Sequence, residues 1–170
     1  PPDGIGAYLR DFRALLDRYG YECDLYGHFG DGCVHCRINF DFTTAEGIAR
    51  YRAFVTEAAH LVVRHGGSLS GEHGDGQARG ELLKIMFGDD LIAAFREYKR
   101  IWDPHGKMNP GKLVDAYFID ENLRIDGVGE VFDSDAWFRY PEDGGRFGKA
   151  LLRCVGVGKC RRSEGGVMCP

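Results

Sequence analysis

One stretch of this chain organises the rest, and it reads Gly27-His28-Phe29-Gly30-Asp31-Gly32-Cys33-Val34-His35. A second stretch of similar character follows later, with the sequence Gly71-Glu72-His73-Gly74-Asp75-Gly76. Both are turns bracketed by glycine, which tolerates positive φ values and lets the backbone approach a ligand closely. Both also carry histidine and acidic side chains, which bind metal ions and move protons. We therefore expect the two turns to form two walls of a single site.

The residues on either side of the first turn predict two paired β-strands. Residues 21–28 read as the first strand. In the second strand apolar residues alternate with polar ones and fall at Val34, Cys36, Ile38 and Phe40. Because a period of two gives a strand one apolar and one polar face, we expect His35 and Arg37 to point in the same direction.

Helical patterns flank this hairpin. Apolar residues recur at helical spacing over Ile5–Tyr19, and Gly20 ends that helix. The pattern Thr43-Thr44-Ala45-Glu46 is typical of a capping box and opens a long second helix, which Gly66-Gly67 stops. Residues 68–72 then read as a third strand.

The order helix, strand, strand, helix, strand is that of a ferredoxin-like βαββαβ unit without its first strand. The predicted fold class is therefore α+β, with an incomplete antiparallel sheet and helices, and we expect the native chain to begin upstream of Pro1. Two more helices, over residues 81–87 and 91–102, form a C-terminal helical extension that Pro104 ends. The second of them carries an apolar stripe at Leu91, Ile92, Phe95, Tyr98, Ile101 and Trp102.

Composition bounds the class of protein. The chain has 170 residues, of which 44% are hydrophobic and 28% charged, as in an ordinary soluble globular domain. The formal net charge of −4 argues against a nucleic-acid partner. No apolar run approaches the roughly 20 residues of a membrane span. Because no charged-then-apolar signal segment opens the chain, we expect a reducing, cytoplasmic compartment, with the protein either free or peripheral to the membrane.

The two glycine turns contain the residues of a candidate metal site. His28 and His35 flank Gly-Asp-Gly, so a pair of antiparallel strands would turn both imidazoles towards one ion. Glu72 would add an anionic ligand, and two histidines with one carboxylate and an open position are typical of catalytic zinc or another first-row ion. His73 would then stand beside the metal as a base. The alternative is that these histidines are surface or core residues without a metal.

Three ordered motifs resemble the C-terminal domain of the FAD-linked oxidases of the vanillyl-alcohol-oxidase class. The family pattern His-x-Gly-Asp-Gly-Asn-x-His is matched by residues 28–35, except that Cys33 replaces Asn. The pattern Gly-Glu-His-Gly is matched by residues 71–74, and Asp-Pro-x-x-x-x-Asn-Pro-Gly-Lys by residues 103–112. The resemblance covers residues 1–118, and this group includes D-lactate dehydrogenases, glycolate oxidase flavoprotein subunits and D-2-hydroxyglutarate dehydrogenases.

The resemblance implies an enzyme that oxidises a small D-2-hydroxy acid and passes hydride to FAD. It implies a divalent metal ion, zinc or manganese, bound by His28, His35 and Glu72. His73 resembles the base that takes the hydroxyl proton, and Asn109 resembles a residue that meets the flavin. Arg37 stands where relatives often carry Asn, and its guanidinium would hold a substrate carboxylate bidentately. The alternative for Arg37 is a surface strand residue.

A late group of cysteines, Cys154, Cys160 and Cys169, ends the chain, and Pro170 follows the last of them. A Cys-Pro ending resembles the bacterial ferredoxin run, although the spacing departs from it, and three cysteines do not complete an all-cysteine 4Fe–4S site. We expect residues 146–170 to be the start of a truncated 4Fe–4S ferredoxin-type domain, with a zinc site or unligated thiols as alternatives.

The predicted organisation is a substrate or cap domain over residues 1–118, a linker over 119–145 and the iron–sulfur segment. An FAD-binding domain is expected upstream, so this chain alone should bind FAD poorly, and further cluster ligands are expected downstream. Electrons would pass from the hydroxy acid to flavin, then to iron–sulfur clusters and an acceptor that the sequence does not name. One rival is a zinc metallohydrolase, with His73 activating water beside the same three ligands. Another is a non-catalytic electron-transfer or scaffold subunit.

Overall fold

The computed structural model describes residues 1–123, 137–154, 158, 160 and 164–165. The chain divides into two compact units, Pro1–Asn122 and Leu123–Pro170. The first unit contains the elements α1 (Ile5–Tyr19), β1 (Cys23–His28), β2 (Cys33–Ile38), α2 (Ala45–Arg64) and α3 (Leu83–Trp102). The second contains the short helix α4 (Phe147–Leu151). Helices together with an antiparallel strand pair confirm the predicted α+β class.

Strands β1 and β2 form an antiparallel hairpin whose register decides what each face carries. A 3₁₀ turn, Phe29–Asp31, joins them, and Gly32 follows with a left-handed φ of 73°. Residues directly opposite each other in such a pair lie on the same face of the sheet. One face packs against the core through Cys23, Leu25 and Ile38. The other carries His35 and Arg37 together, as the alternation predicts.

The core lies between the hairpin and the first two helices. Its buried side chains are Phe12, Leu15, Leu16, Phe54 and Leu61. Helix α1 ends where predicted, because Gly20 adopts a left-handed φ of 66° and its N–H bonds back to the last turn. Helix α2 begins one residue later than the capping pattern suggests. Its N-cap is Thr44, whose hydroxyl accepts a hydrogen bond from the backbone N–H of Gly47 at 3.0 Å.

The predicted third strand over residues 68–72 is wrong. The described residues form a two-stranded sheet, and residues 68–72 form a bent loop. The hydroxyl of Ser70 donates to the backbone carbonyl of His73, and such local side-chain bonds compete with a strand ladder. Gly71 lies against Cys33 at the start of β2, and the sulfur of Cys33 is the nearest atom to the position of an added Cβ. The loop therefore lies against the start of β2 through a side-chain contact.

Helix α3 contains both helices that the sequence predicts, joined at a kink. Gly88 lies at the kink with a non-helical φ of 74° and ψ of 173°, which glycine adopts at little steric cost. The apolar stripe of the second half is uncovered in the described part of the chain, since Tyr98, Ile101 and Trp102 are each more than 60% exposed. Among the described helices, none has the length and apolarity that crossing a membrane requires.

The first unit extends a little beyond residue 118. Ile119 is 3% exposed and packs in a second buried cluster with Tyr51, Ala59 and Leu82. In the second unit, helix α4 spans five residues, Phe147–Leu151. Residues 124–136, which the predicted linker includes, lie outside the described residues. The assignment of a linker and an iron–sulfur segment therefore stays a prediction.

Candidate metal centre

The carboxylate of Glu72 is the centre of a cluster with three histidines. Its Oε1 atom lies 2.6 Å from Nε2 of His35 and 3.2 Å from Nε2 of His73. Its Oε2 atom lies 3.6 Å from Nε2 of His28. The structure therefore brings together all four residues that the sequence selects from the two glycine turns.

The hairpin places the histidines of β1 and β2 on one face. In the register His28 lies opposite Cys33, and Tyr26 lies opposite His35. The ring of Tyr26 stacks on the imidazole of His35 with a centroid distance of 4.8 Å and an interplanar angle of 14°. This stacking fixes the ring of His35 beside Glu72, while His28 at the end of β1 stays more exposed, with 64% of its side chain accessible.

Cys33 is the residue of this site that the motif analysis does not use. One donor atom from each of Cys33, His35 and Glu72 lies within 4.8 Å of the other two. Among the described residues this is the one group of three or more histidine, cysteine and acidic side chains whose donor atoms all lie that close to one another, and it does not include His28. The sequence could have indicated this role for Cys33. It precedes His35 by two positions, and residues two apart in a strand share one face.

The electrostatics of the cluster favour an ionised carboxylate. Burial raises the pKa of Glu72, but the hydrogen bond with His35 and the electrostatic interactions with the three histidines outweigh it. The pKa of Glu72 therefore lies below its ordinary value, and the side chain is anionic near neutral pH. An anionic oxygen between imidazole nitrogens is a donor set suited to a divalent cation.

Arg37 reaches the site through Tyr26. Its Nε–H donates to the hydroxyl of Tyr26 at 3.4 Å, and its guanidinium carbon lies 5.8 Å from the centre of that ring. Because the same ring stacks on His35, the charge of Arg37 lies one side chain away from the cluster. The guanidinium is exposed, so its remaining donors are open to solvent.

A cavity of about 370 Å³ opens beside the cluster. Four side chains of the site line it: Cys33, His35, Glu72 and His73. Its other walls include apolar side chains of α1 and α2, such as Phe12 and Val55. A partly apolar cavity lined by a few polar side chains is the usual form of a small-molecule site.

The turn that carries Asn109 is built on a buried carboxylate. Asp103 accepts hydrogen bonds from the backbone N–H groups of Lys107 and Met108 at 2.8 and 2.9 Å, and it pairs with Lys99 at 2.5 Å. Asn109 follows at the exposed tip with a φ of 49°, a left-handed conformation that asparagine tolerates.

After this turn the chain contacts residues 76–77, which follow Glu72 and His73 in sequence. The backbone N–H of Leu113 donates to the carbonyl of Gly76 at 2.9 Å, and Lys112 donates to the side chain of Gln77 at 2.7 Å. The structure therefore joins the segment after Asn109 to the second glycine turn.

We expect Asp103→Asn to destabilise the first unit at neutral pH. The hydrogen bond from Lys99, with those from Met108 and Lys107, outweighs burial and lowers the pKa of Asp103 to about 2. A carboxyl group whose pKa is lowered on folding stabilises the protein above its unfolded pKa of about 3.9, and loses that contribution as pH falls through the folded value. The difference in thermal midpoint between wild type and variant should therefore be several degrees at neutral pH and shrink below about pH 4.

Asp115→Asn is the control for this prediction. Asp115 is an exposed acid paired with Arg96 at 2.7 Å, and exposed pairs contribute little to stability. Equal midpoint shifts for the two variants at neutral pH would contradict a structural role for Asp103.

Residues 1–113 match the family described as FAD linked oxidases, C-terminal domain. The chain belongs to this family. The match confirms the resemblance that the three motifs indicate, and it covers both glycine turns and the Asn-Pro-Gly-Lys turn. It does not extend to the late cysteines, so the fusion to an iron–sulfur domain stays a prediction.

Curated relatives of the chain include several hydroxy-acid dehydrogenases. The chain is 33% identical to D-2-hydroxyglutarate dehydrogenase of Pseudomonas putida over 178 aligned positions, which cover 100% of this chain and 17% of the relative. It is 36% identical to D-lactate dehydrogenase of Archaeoglobus fulgidus, over 67% of this chain and 25% of the relative. It is 33% identical to glycolate oxidase subunit GlcD of Escherichia coli, over 67% of this chain and 23% of the relative. The chain thus spans a quarter or less of each.

Proposed function

We propose that this chain is the substrate domain of an FAD-dependent oxidoreductase that oxidises a D-2-hydroxy acid. The observation that carries the proposal is the contact of one carboxylate, Glu72, with His28, His35 and His73. Membership of the FAD-linked oxidase family favours an oxidoreductase over a metallohydrolase or a non-catalytic subunit. Because the relatives are much longer, we assign the activity to a longer protein in which this chain supplies one domain.

D-2-hydroxyglutarate is the substrate we favour among the 2-hydroxy acids. Three relatives named D-2-hydroxyglutarate dehydrogenase align over 100% of this chain, including its cysteine-bearing end, and a fourth aligns over 69% of it. The D-lactate dehydrogenase and the glycolate oxidase subunit align over 67% of it. Hydroxyglutarate also has a second carboxylate, which lactate and glycolate lack. We assign Arg37 to a substrate carboxylate, because a guanidinium binds that group bidentately.

The donor set fits a divalent first-row ion. Glu72 is ionised near neutral pH and lies within 4 Å of imidazole nitrogens of both His28 and His35. Imidazole and carboxylate are ligands that zinc accepts, and manganese is the other ion we consider. We propose that these three residues hold the ion next to the cavity.

His73 is the proposed base. Its side chain is 70% exposed and its Nε2 atom lies beside the Glu72 carboxylate, so a substrate in the cavity can reach it. The substrate would lose its hydroxyl proton to His73 and its α-hydrogen as hydride, and become a 2-oxo acid. When bound, the metal supplies polarisation of the substrate oxygens and the flavin supplies the hydride acceptor.

The remaining assignments concern electron flow beyond the substrate. We assign Asn109, exposed at the tip of its turn, to contact with the flavin of an upstream FAD-binding domain. We propose that Cys154, Cys160 and Cys169 enter a 4Fe–4S cluster completed by a downstream domain. Cys154 and Cys160 are exposed, and Cys169 lies outside the described residues. We place the protein in the cytoplasm or at the membrane periphery.

Anaerobic reduction of the full-length protein tests the proposed reaction. Mixing with D-2-hydroxyglutarate is expected to bleach the flavin absorbance, because the hydride enters the flavin. The L-enantiomer is the control, since it presents its α-hydrogen away from the acceptor. An unchanged flavin spectrum with D-2-hydroxyglutarate, D-lactate and glycolate would overturn the assignment of a 2-hydroxy-acid substrate.

A further inference from the structure

Cys33 occupies a position in the cluster that its strand imposes. It begins β2 opposite His28 and two positions before His35, so its side chain shares their face of the hairpin. The other cysteine of this strand, Cys36, lies three positions further on and belongs to the opposite face. The thiol of Cys33 is therefore the one of this strand that is directed to the histidines.

The loop that carries Glu72 closes onto this sulfur. A Cβ atom placed on Gly71 would lie 2.6 Å from Sγ of Cys33, closer than real Cβ contacts allow. The backbone of Gly71 approaches the sulfur because glycine has no side chain. Glu72 is the next residue after Gly71. The contact between Gly71 and Cys33 therefore places the Glu72 carboxylate close to the Cys33 thiol as well as to the imidazoles.

The spacing of the donor atoms is compatible with a shared ion. At metal–ligand distances of about 2.0–2.3 Å, two donors of one zinc ion lie roughly 3.3–3.8 Å apart. The donor atoms of Cys33, His35 and Glu72 lie within 4.8 Å of one another before any ion draws them together. Cys33 also lines the cavity and is partly exposed, so an ion can reach its sulfur from solvent.

We propose that the thiolate of Cys33 is a further ligand of the metal ion held by His28, His35 and Glu72, and that it makes the site selective for zinc over manganese. This inference rests on the metal site of the proposed function. On binding, the thiol releases its proton to solvent and the sulfur forms a bond to the ion. Thiolate is a soft ligand that favours zinc, whereas carboxylate, carbonyl and water suit manganese. Substrate oxygens would enter as an additional ligand, since catalytic zinc sites expand to five-coordination.

X-ray absorption at the zinc edge of the full-length protein, loaded with one equivalent of zinc, tests this proposal. The method reads the zinc ligands alone and is unaffected by flavin or iron. The expected spectrum contains one sulfur at about 2.3 Å beside nitrogen and oxygen ligands at about 2.0–2.2 Å. Cys33→Ser should remove the sulfur contribution, and the matched variant Cys36→Ser on the same strand should keep it.

Zinc affinity gives a second readout. We expect Cys33→Ser to weaken zinc binding relative to manganese by at least about tenfold, because even loss of an outer-shell partner costs about 10–100-fold. Gly71→Ala should also lower the sulfur contribution, since its methyl group would displace the thiol. Gly74→Ala is the control in the same loop, where an added Cβ meets nothing within 4 Å.

The outcomes separate this inference from the proposed function. Zinc bound with nitrogen and oxygen ligands alone, or sulfur retained in Cys33→Ser, would overturn the role of Cys33 and leave the metal site standing. Zinc content that does not change in Glu72→Gln would overturn the metal site, and the role of Cys33 with it.

Discussion

Glu72→Gln in the full-length protein is expected to remove the bound divalent ion and to lower kcat/KM for the D-2-hydroxy acid by at least about a hundredfold. The substitution keeps the shape of the side chain but removes the negative charge that meets three histidines. A bound metal ion supplies several kcal/mol of charge stabilisation in the transition state, and each 1.4 kcal/mol or so corresponds to a factor of ten in rate. Elemental analysis of zinc and manganese per chain, with steady-state kinetics on the same samples, measures both effects.

Asp31→Asn is the matched control for this variant. Asp31 lies in the 3₁₀ turn between β1 and β2, close in sequence to His28 and Cys33, and it is exposed. Its substitution removes one negative charge from the hairpin that carries His28 and His35, without removing a proposed ligand. Metal content and kcat/KM near wild type in Asp31→Asn, with both lost in Glu72→Gln, would support the assignment. A full complement of metal in Glu72→Gln would contradict it.

The hairpin and the first two helices were predictable because local patterns determine them. Alternation along β2 fixes which residues share a face, and Gly20 ends α1 through its own left-handed conformation. The convergence of His28 and His35 follows from the same alternation and a short turn. These features depend on neighbours a few residues apart, which is the range over which a single sequence is informative.

The loop over residues 68–72 was not predictable in the same way. A strand needs a free edge to pair with, and the presence of such an edge is a tertiary property that the local sequence does not contain. In the structure the local bond from Ser70 to His73 and the approach of Gly71 to Cys33 determine its course. The involvement of Cys33 was hidden for the same reason, since its distance from Glu72 depends on that approach.

The apolar stripe on the second half of α3 shows what helical periodicity does not predict. Helical periodicity groups Tyr98, Ile101 and Trp102 on one face, and the structure agrees with this grouping. Periodicity does not say what covers such a face, and in the described part of the chain these three side chains are exposed. A pattern of this kind therefore predicts a helix and its faces, but not the burial of those faces.

His73→Ala in the full-length protein is expected to lower kcat by about 10²–10⁴-fold, the range that a positioned general base contributes. The imidazole of His73 lies 3.2 Å from Glu72 and lines the cavity, so it is beside a substrate hydroxyl there. Unlike Glu72→Gln, this variant should keep its full metal content, because His73 is assigned to the proton and not to the ion. Steady-state kinetics across pH, with metal analysis of the same preparation, separates the two roles.

The pH profile decides whether His73 acts on the proton or only supports its neighbours. If His73 is the base, the acidic limb of kcat/KM in the wild type reports its ionisation, and that limb should disappear from the residual activity of His73→Ala. His105→Ala removes an exposed histidine from the turn before Asn109 and should keep both the rate and the limb. A wild-type rate in His73→Ala would exclude His73 as the base. A lower rate with an unchanged acidic limb of the pH profile would mean that His73 only positions Glu72.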